Sequence, residues 1–298
     1  MRLAIIGTGA MARYYAKVFD ILDPVMVGRH GGPFLLKQGD QITRMTPRFL
    51  SWHDAHVSLF DVIILAVKWP AMPLVKQFLR DARQELLVIS LMNGMGQEEA
   101  LIPPLAPEQL MVGVTTDAVT AYWDNQAQLP AARVSAVGQT ILPLLPHPLL
   151  PLWQKQLQRL NLTSSWKFFS SQAVLRERWI KLIANSVINP LTALANVTNG
   201  DLPQLPLWSL STALIHEATH VAQAIGLSID DDLSSRLLQL CQATATNKSS
   251  MLQDIEQHKV TEIDAINGYI VRMGHDHAID VSTHQALVHL IHTLSQQK

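Results

Sequence analysis

The chain has one cysteine, Cys241, in 298 residues. A single thiol cannot close an internal disulfide, which excludes a disulfide-built secreted scaffold and a multi-cysteine zinc site. Charge is also sparse. Asp, Glu, Lys and Arg together make up 16%, and 23 basic residues against 24 acidic ones leave a formal net charge of −1. Such a balance offers no basic footprint for a nucleic-acid backbone or an anionic membrane surface. No stretch of about 18 uninterrupted apolar residues occurs, so no spanning helix is expected. The opening Met1-Arg2-Leu3-Ala4-Ile5-Ile6-Gly7 is too short an apolar run for a signal peptide. There is also no internal repeat. What the chain does have is apolar material, 48% of it, enough for a sizeable core in one large or two ordinary domains. These features point to a soluble, cytoplasmic α/β or α+β protein with neither nucleic acid nor membrane among its partners.

The first half alternates short apolar runs with helical patterns, as βαβ units around a parallel sheet do. Strands are expected at 2–6, 24–28, 61–67 and 85–92, and helices at 11–22 and 74–82. Weaker strand patterns lie at 111–120 and 133–137. Residues 141–153 (ILPLLPHPLLPLW) carry prolines at a spacing that breaks a helix or central strand, so this stretch is expected to wrap a surface. From about residue 171 the patterns become long and helical, over 171–196, 205–226, 230–246, 249–258, 261–274 and 280–296. The fold class expected is α/β. A Rossmann-type, doubly wound parallel sheet occupies 1–165, and an all-helical domain occupies 166–298.

Gly7-Thr8-Gly9-Ala10-Met11-Ala12 follows the first strand and opens the first helix. The first glycine permits a tight turn, and the second lets backbone approach a pyrophosphate. Ala12 supplies the small residue that close helix–strand packing requires. Unpaired N–H groups at the helix start would then face the phosphates. The alternative is a tight turn with no ligand. At the end of the second strand an NAD enzyme usually carries an acidic residue for the ribose 2′-hydroxyl, but here the chain reads Gly28-Arg29-His30. An arginine fork suits a 2′-phosphate, which favours NADP; the alternative is a solvated loop arginine.

The most informative stretch is 178–190, RWIKLIANSVINP. Lys181, Asn185 and Asn189 recur every fourth residue and fall within one arc of about 80° on a helix. Almost everything else around the circumference is apolar or small, the reverse of an ordinary surface helix. A buried helix is therefore expected to aim one amine and two amides into a wet cavity; the alternative is that they bond to neighbouring helices. A second polar cluster spans 247–255 and 261–268. There Thr261 is a candidate N-cap and Glu262 would sit in the first helical turn, which by itself accounts for Glu262 structurally. His216-Glu217-Ala218-Thr219-His220 fits the H-E-x-x-H pattern of zinc peptidases. The further glycine and histidine of the extended pattern are missing, so a chance match is the better reading and no metal is expected. His275 and His277 read as solvated residues at a helix end.

Five segments together resemble the ketopantoate reductases (2-dehydropantoate 2-reductases): GTGAMA at 7–12, AVK at 66–68, NGMG at 93–96, WIKLIANSVINPLTAL at 179–194, and SSMLQDI…TEIDAINGYIV within 249–271. The resemblance implies an N-terminal Rossmann domain, a C-terminal helical domain, NADPH as cofactor and a small 2-keto acid as substrate. It implies reduction of 2-dehydropantoate to (R)-pantoate, on the way to pantothenate and coenzyme A. By motif, Lys181 matches the catalytic lysine and Glu262 the supporting carboxylate. Asn185, Asn189 and Ser250 match substrate-binding residues, and Lys68 and Asn93 match residues near the nicotinamide. Arg29 matches the arginine for the NADP phosphate. The chain departs from the family at 130–142 (PAARVSAVGQTIL), where members usually carry a glycine-rich stretch with a histidine. A same-fold reductase of another 2-keto acid and a non-catalytic dinucleotide sensor remain alternatives, as do a monomer and a homodimer.

Overall fold

Strand β1 (Leu3–Ile6) runs into helix α1 (Ala10–Val18), and β2 (Val25–Gly28) follows. A hairpin of β3 (Phe34–Gln38) and β4 (Gln41–Met45) comes next, then β5 (Arg48–Ser51), β6 (Val62–Leu65), α2 (Met72–Phe78) and β7 (Leu87–Ser90). After α3 (Gln97–Leu101) come β8 (Leu110–Val112), β9 (Val114–Thr115), β10 (Ala118–Asp124), β11 (Leu129–Ala136) and β12 (Thr140–Pro143). Helix α4 (Leu150–Arg159) and β13 (Trp166–Phe169) complete this part. The computed structural model describes residues 1–229 and 232–296. The chain divides into two units, residues 1–92 with 97–174, and residues 93–96 with those from 175 onward.

In the first unit six strands pair in the order β5-β2-β1-β6-β7-β8, every pairing parallel. Counted within that sheet the order is 3-2-1-4-5-6, that of a doubly wound nucleotide-binding sheet, with the reversal between β1 and β6. Leu3, Ile5, Ile64 and Ile89 pack into one core, while Ala4, Ile6, Ile63 and Val88 pack into the other. Because both faces are covered, these strands read as unbroken apolar runs rather than alternating ones. The first core is deepened by Phe19, Trp153 and Trp166, whose ring centroids lie 5.2–5.9 Å apart in tilted or edge-on contacts.

Several elements of this unit depart from the reading of the sequence, among them edge strand β5 and helix α3, which lie where no element is expected. A second, mostly antiparallel sheet, β10-β11-β3-β4, arises from stretches that gave weak strand patterns or none. The proline-rich stretch 141–153 does not simply wrap a surface. Its start is the central strand of the sheet β13-β12-β9, with Leu142 fully buried, and its end opens α4. The prolines sit where their missing N–H groups do no harm. Pro143 is the last residue of β12, and Pro151 lies in the first turn of α4.

The second unit is helical among its described residues. It holds most of α5 (Ser171–Ala195), together with α6 (Leu210–Ala224), α7 (Leu233–Ala243), α8 (Ser250–Glu256), α9 (Ile263–Asp276) and α10 (Ser282–Gln296). The helix expected over 230–246 begins on residues 230 and 231, which lie outside the described residues. Its observed start is capped by Asp232, whose carboxylate accepts from the Ser235 N–H. Helix α5 is apolar on most sides. Trp179, Leu182 and Ile183 enter one core, and Val187, Ile188 and Leu191 enter another. No helix among the described residues is long and apolar enough to cross a membrane.

Candidate active site

In the first unit the sheet's reversal brings two of the sequence motifs together. Parallel pairing sets Ile6 beside Leu65, and the Ala66 N–H donates to the Ile6 carbonyl at 2.9 Å, so the GTGAMA turn and the AVK segment leave the sheet side by side. Gly7 has φ +126°, and a Cβ there would lie 2.6 Å from the Ala66 carbonyl oxygen; only glycine fits. Gly9 is the N-cap of α1. No side chain caps that helix and no acidic residue occupies its first turn, so its start retains the orphan N–H groups and the positive dipole end that bind an anion. A Cβ on Gly9 would meet nothing within 4 Å, so the turn is open on that side. The Thr8 methyl packs on Gly28 at the end of β2, and exposed Arg29 follows directly. Exposed Lys68 follows β6. These residues fit a phosphate-bearing dinucleotide, with a cation where a carboxylate would otherwise meet a ribose 2′-hydroxyl.

The second unit carries candidate side chains on four separate segments. On α5, Lys181 and Asn185 are half-buried and Asn189 is only 5% exposed. The next turn of α5 is tied to the start of α8. The Thr192 hydroxyl donates to the Ile188 carbonyl at 2.7 Å and is hydrogen-bonded at 2.7 Å to Ser249, which caps α8 by accepting from the Leu252 N–H. Ser249, buried, is therefore the structural partner of α5, while half-buried Ser250 is the first residue of α8 proper. Sequence reading singled out only Ser250. The missed signal was the serine–x–x spacing of an N-cap one residue earlier.

Glu262 departs from the expected first-turn position. It is itself the N-cap residue of α9, which begins at Ile263, and its side chain makes no capping bond. The carboxylate is 5% exposed and is approached by the Asn93 carboxamide, Nδ2 to Oε2 at 3.5 Å. Asn93 belongs to the 93–96 segment, which is anchored to α9 by the Met95 N–H donating to the Ala265 carbonyl at 2.9 Å. Gly94 makes this close approach possible. Its φ is +77°, and a Cβ there would lie 2.5 Å from the Ala265 carbonyl oxygen. A carboxylate thus lies beside a carboxamide in one unit with the α5 row of one amine and two amides.

The H-E-x-x-H segment has a different fate. His216 and His220 are exposed, with ring centroids 3.8 Å apart, but Glu217 is committed elsewhere. Its two carboxylate oxygens accept the Thr283 and His284 N–H groups at 3.0 and 3.1 Å, capping the start of α10. Among the described residues no three His, Cys, Asp or Glu side chains gather as a metal site. His275 and His277 are exposed at the end of α9.

The ketopantoate reductase PanE/ApbA family matches residues 3–140, and its C-terminal counterpart matches residues 173–295. The chain is 32% identical over 248 residues to the 2-dehydropantoate 2-reductase of Vibrio cholerae serotype O1 (strain ATCC 39315 / El Tor Inaba N16961), covering 79% of this chain and 78% of that relative. The chain belongs to the ketopantoate reductase family. That family consists of oxidoreductases acting on 2-dehydropantoate. Two solved structures share the fold. A ketopantoate reductase from Staphylococcus aureus, described as dimeric, has a TM-score of 0.81 at 22% identity, covering 99% of each chain. A D-mandelate dehydrogenase, solved with NADH and anilino(oxo)acetate, has a TM-score of 0.84 at 19% identity, covering 99% of this chain and 98% of the other.

Proposed function

We propose that this ketopantoate reductase family member is an NADPH-dependent enzyme that reduces 2-dehydropantoate to (R)-pantoate, a step towards pantothenate and coenzyme A. The observation that carries this reading is the Lys181, Asn185 and Asn189 row on a mostly buried helix, in the same unit as the buried Glu262 carboxylate with its Asn93 neighbour. Residues 1–165 act as the NADP-binding domain, and residues 166–298 act as the substrate and catalytic domain. Gly7, Thr8, Gly9, Ala10, Met11 and Ala12 cradle the pyrophosphate, Arg29 takes the 2′-phosphate, and Lys68 and Asn93 serve the nicotinamide side. When bound, the dinucleotide supplies the hydride that reaches the ketone carbon.

Each side chain then has a chemical task. As the carbon gains hydride, negative charge builds on the ketone oxygen. The Lys181 ammonium stabilises that charge and donates the proton that completes the alcohol, leaving a neutral amine that recovers its proton from water. Glu262 supports that proton transfer and contacts the substrate. Asn185, Asn189 and Ser250 orient the substrate carboxylate and hydroxyl through neutral donors, so no net charge is added around the lysine.

The test follows NADPH absorbance with 2-dehydropantoate and a panel of other 2-keto acids. Preference for 2-dehydropantoate is the expected result. Turnover of a different acid orders of magnitude faster replaces the substrate, an alternative favoured by the departure at 130–142. NADPH bound with no turnover of any 2-keto acid would favour the sensor reading. Light scattering separates a monomer from a homodimer, the state named for the Staphylococcus aureus neighbour.

A further inference from the structure

Helix α5 contains a proline, Pro190, between the residues of its polar row and its C-terminal end. Proline has no N–H, so the carbonyl four residues earlier, that of Ser186, loses its helical donor. Ser186 lies directly after Asn185, and the turn it opens contains Asn189. An unpaired rung at this point lets the two halves of a helix bend relative to each other. The structure supplies the missing donor from another helix. The Asn267 carboxamide of α9 donates from Nδ2 to the Ser186 carbonyl at 2.9 Å, and Asn267 is 0% exposed.

Asn267 is itself held in one orientation. Its second Nδ2 hydrogen points to Nδ1 of His284 on α10, 3.0 Å away, while Nε2 of His284 lies 3.0 Å from the Leu214 carbonyl of α6. A carbonyl can only accept, so Nε2 carries the imidazole proton and Nδ1 is the bare acceptor that Asn267 needs. Turning the carboxamide over would set its oxygen against the Ser186 oxygen. The chain accepts the opposite arrangement, with Asn267 Oδ1 buried and without a protein hydrogen-bond partner. Such a group is costly, so the orientation is imposed by the two acceptors on the nitrogen side.

We propose that Asn267 is the positioning residue of the active-site row: it replaces the backbone donor that Pro190 lacks and so sets the angle at which Asn189 is presented relative to Lys181 and Asn185. The proposal rests on the reading of Asn185 and Asn189 as substrate-binding residues. It explains why a helix that carries the chemistry tolerates a proline in its interior, and why an asparagine is fully buried on a facing helix.

The test is a double-mutant cycle between Asn267 and Pro190, read by steady-state kinetics with NADPH and 2-dehydropantoate. Asn267→Ala is expected to raise KM for the keto acid about tenfold, the effect of one lost buried hydrogen bond. KM for NADPH is expected to stay unchanged, and kcat to fall less than KM rises. Pro190→Ala restores a backbone N–H at position 190 and alone is expected to change little. Combined with Asn267→Ala, it is expected to recover most of the keto-acid KM, because the new N–H donates to the Ser186 carbonyl. A general loss of packing would not be rescued by Pro190→Ala, which removes further volume and adds nothing to the cavity. If Asn267→Ala does not fold, Asn267→Ser, which keeps a short donor, takes its place, with a smaller rise and the same rescue. A keto-acid KM that does not move, or a defect that Pro190→Ala leaves intact, overturns the proposal while wild-type turnover still supports the reductase. A wild-type protein inactive on every 2-keto acid overturns both.

Discussion

The two units prepare for their ligands in opposite ways. In the first, the candidate surface is made chiefly of backbone: a glycine turn, a helix start without a cap, and strand ends set side by side by parallel pairing. Exposed Arg29 and Lys68 stand at its edges. In the second it is made of side chains from α5, α8, α9 and the 93–96 segment, each held by hydrogen bonds to another segment. A phosphate can be met by main-chain N–H groups that any suitable turn presents. A ketone that must receive a proton needs specific groups at fixed positions, and those require a packed scaffold.

The contrast can be broken most sharply at Lys181. Lys181→Ala is expected to lower kcat by about 10²–10⁴-fold, the usual range for a lost general acid. Dinucleotide affinity, measured by fluorescence titration, is expected to stay unchanged, since every residue assigned to it except Asn93 lies in the other unit. If both fall together, the division of labour is wrong.

The next effect in size concerns pH and belongs to the second unit alone. Burial depresses the His284 imidazole from its ordinary 6.5 to about 4, against the opposing influence of the Leu214 carbonyl and the Glu217 carboxylate. The unfolded chain therefore binds a proton that the folded one refuses. The stability this imparts is complete above pH 6.5 and is lost as the pH falls towards 4, amounting to at most about 3 kcal/mol. Denaturant titrations across that window are expected to show the loss in wild type and its absence in His284→Gln.

Two glycines sharpen the comparison further. Gly7→Ala and Gly94→Ala each force a Cβ onto a carbonyl oxygen at positive φ, and each is expected to destabilise by about 1–3 kcal/mol in thermal melts. They should part in function. Gly7→Ala weakens NADPH binding, whereas Gly94→Ala disturbs the Asn93–Glu262 pair and raises the keto-acid KM. The smallest effect is expected at Arg29. Arg29→Ala should cost roughly tenfold in preference for NADPH over NADH, the worth of one charge-assisted contact at an exposed site. An unchanged preference removes the arginine from that role.

Legibility in the sequence followed the same division. Four of the six parallel strands, β1, β2, β6 and β7, were readable because sheets buried on both faces need continuous apolar runs. Edge strand β5, RFLS and mostly half-exposed, gave no pattern, and β8 only a weak one. The glycine turn was readable because its residues are adjacent in the chain. The β3–β4 hairpin and its sheet were missed because short, half-exposed strands carry little periodic signal. The prolines of 141–153 were misjudged because their effect depends on whether each one lies inside an element or at its edge. Glu262 is one residue less deep in α9 than the spacing predicts, at the N-cap rather than in the first turn, and its neighbour Asn93 lies far away in the sequence. Asn267 lies within the polar cluster 261–268, but its position there suggests no role of its own. A buried asparagine is meaningful only once the carbonyl that Pro190 frees is known to lie opposite it.

By itself the amino-acid order determined the buried parallel strands β1, β2, β6 and β7, the long helices of the second half, the polar row of α5 and the glycine turn, since periodicity and local backbone freedom depend only on neighbours along the chain. Tertiary structure alone decided which carboxylate meets which amide, which histidine tautomer is buried, and what satisfies the carbonyl that a proline leaves open. Those outcomes depend on groups dozens of residues apart, and a buried hydrogen bond is made or lost within a few tenths of an ångström.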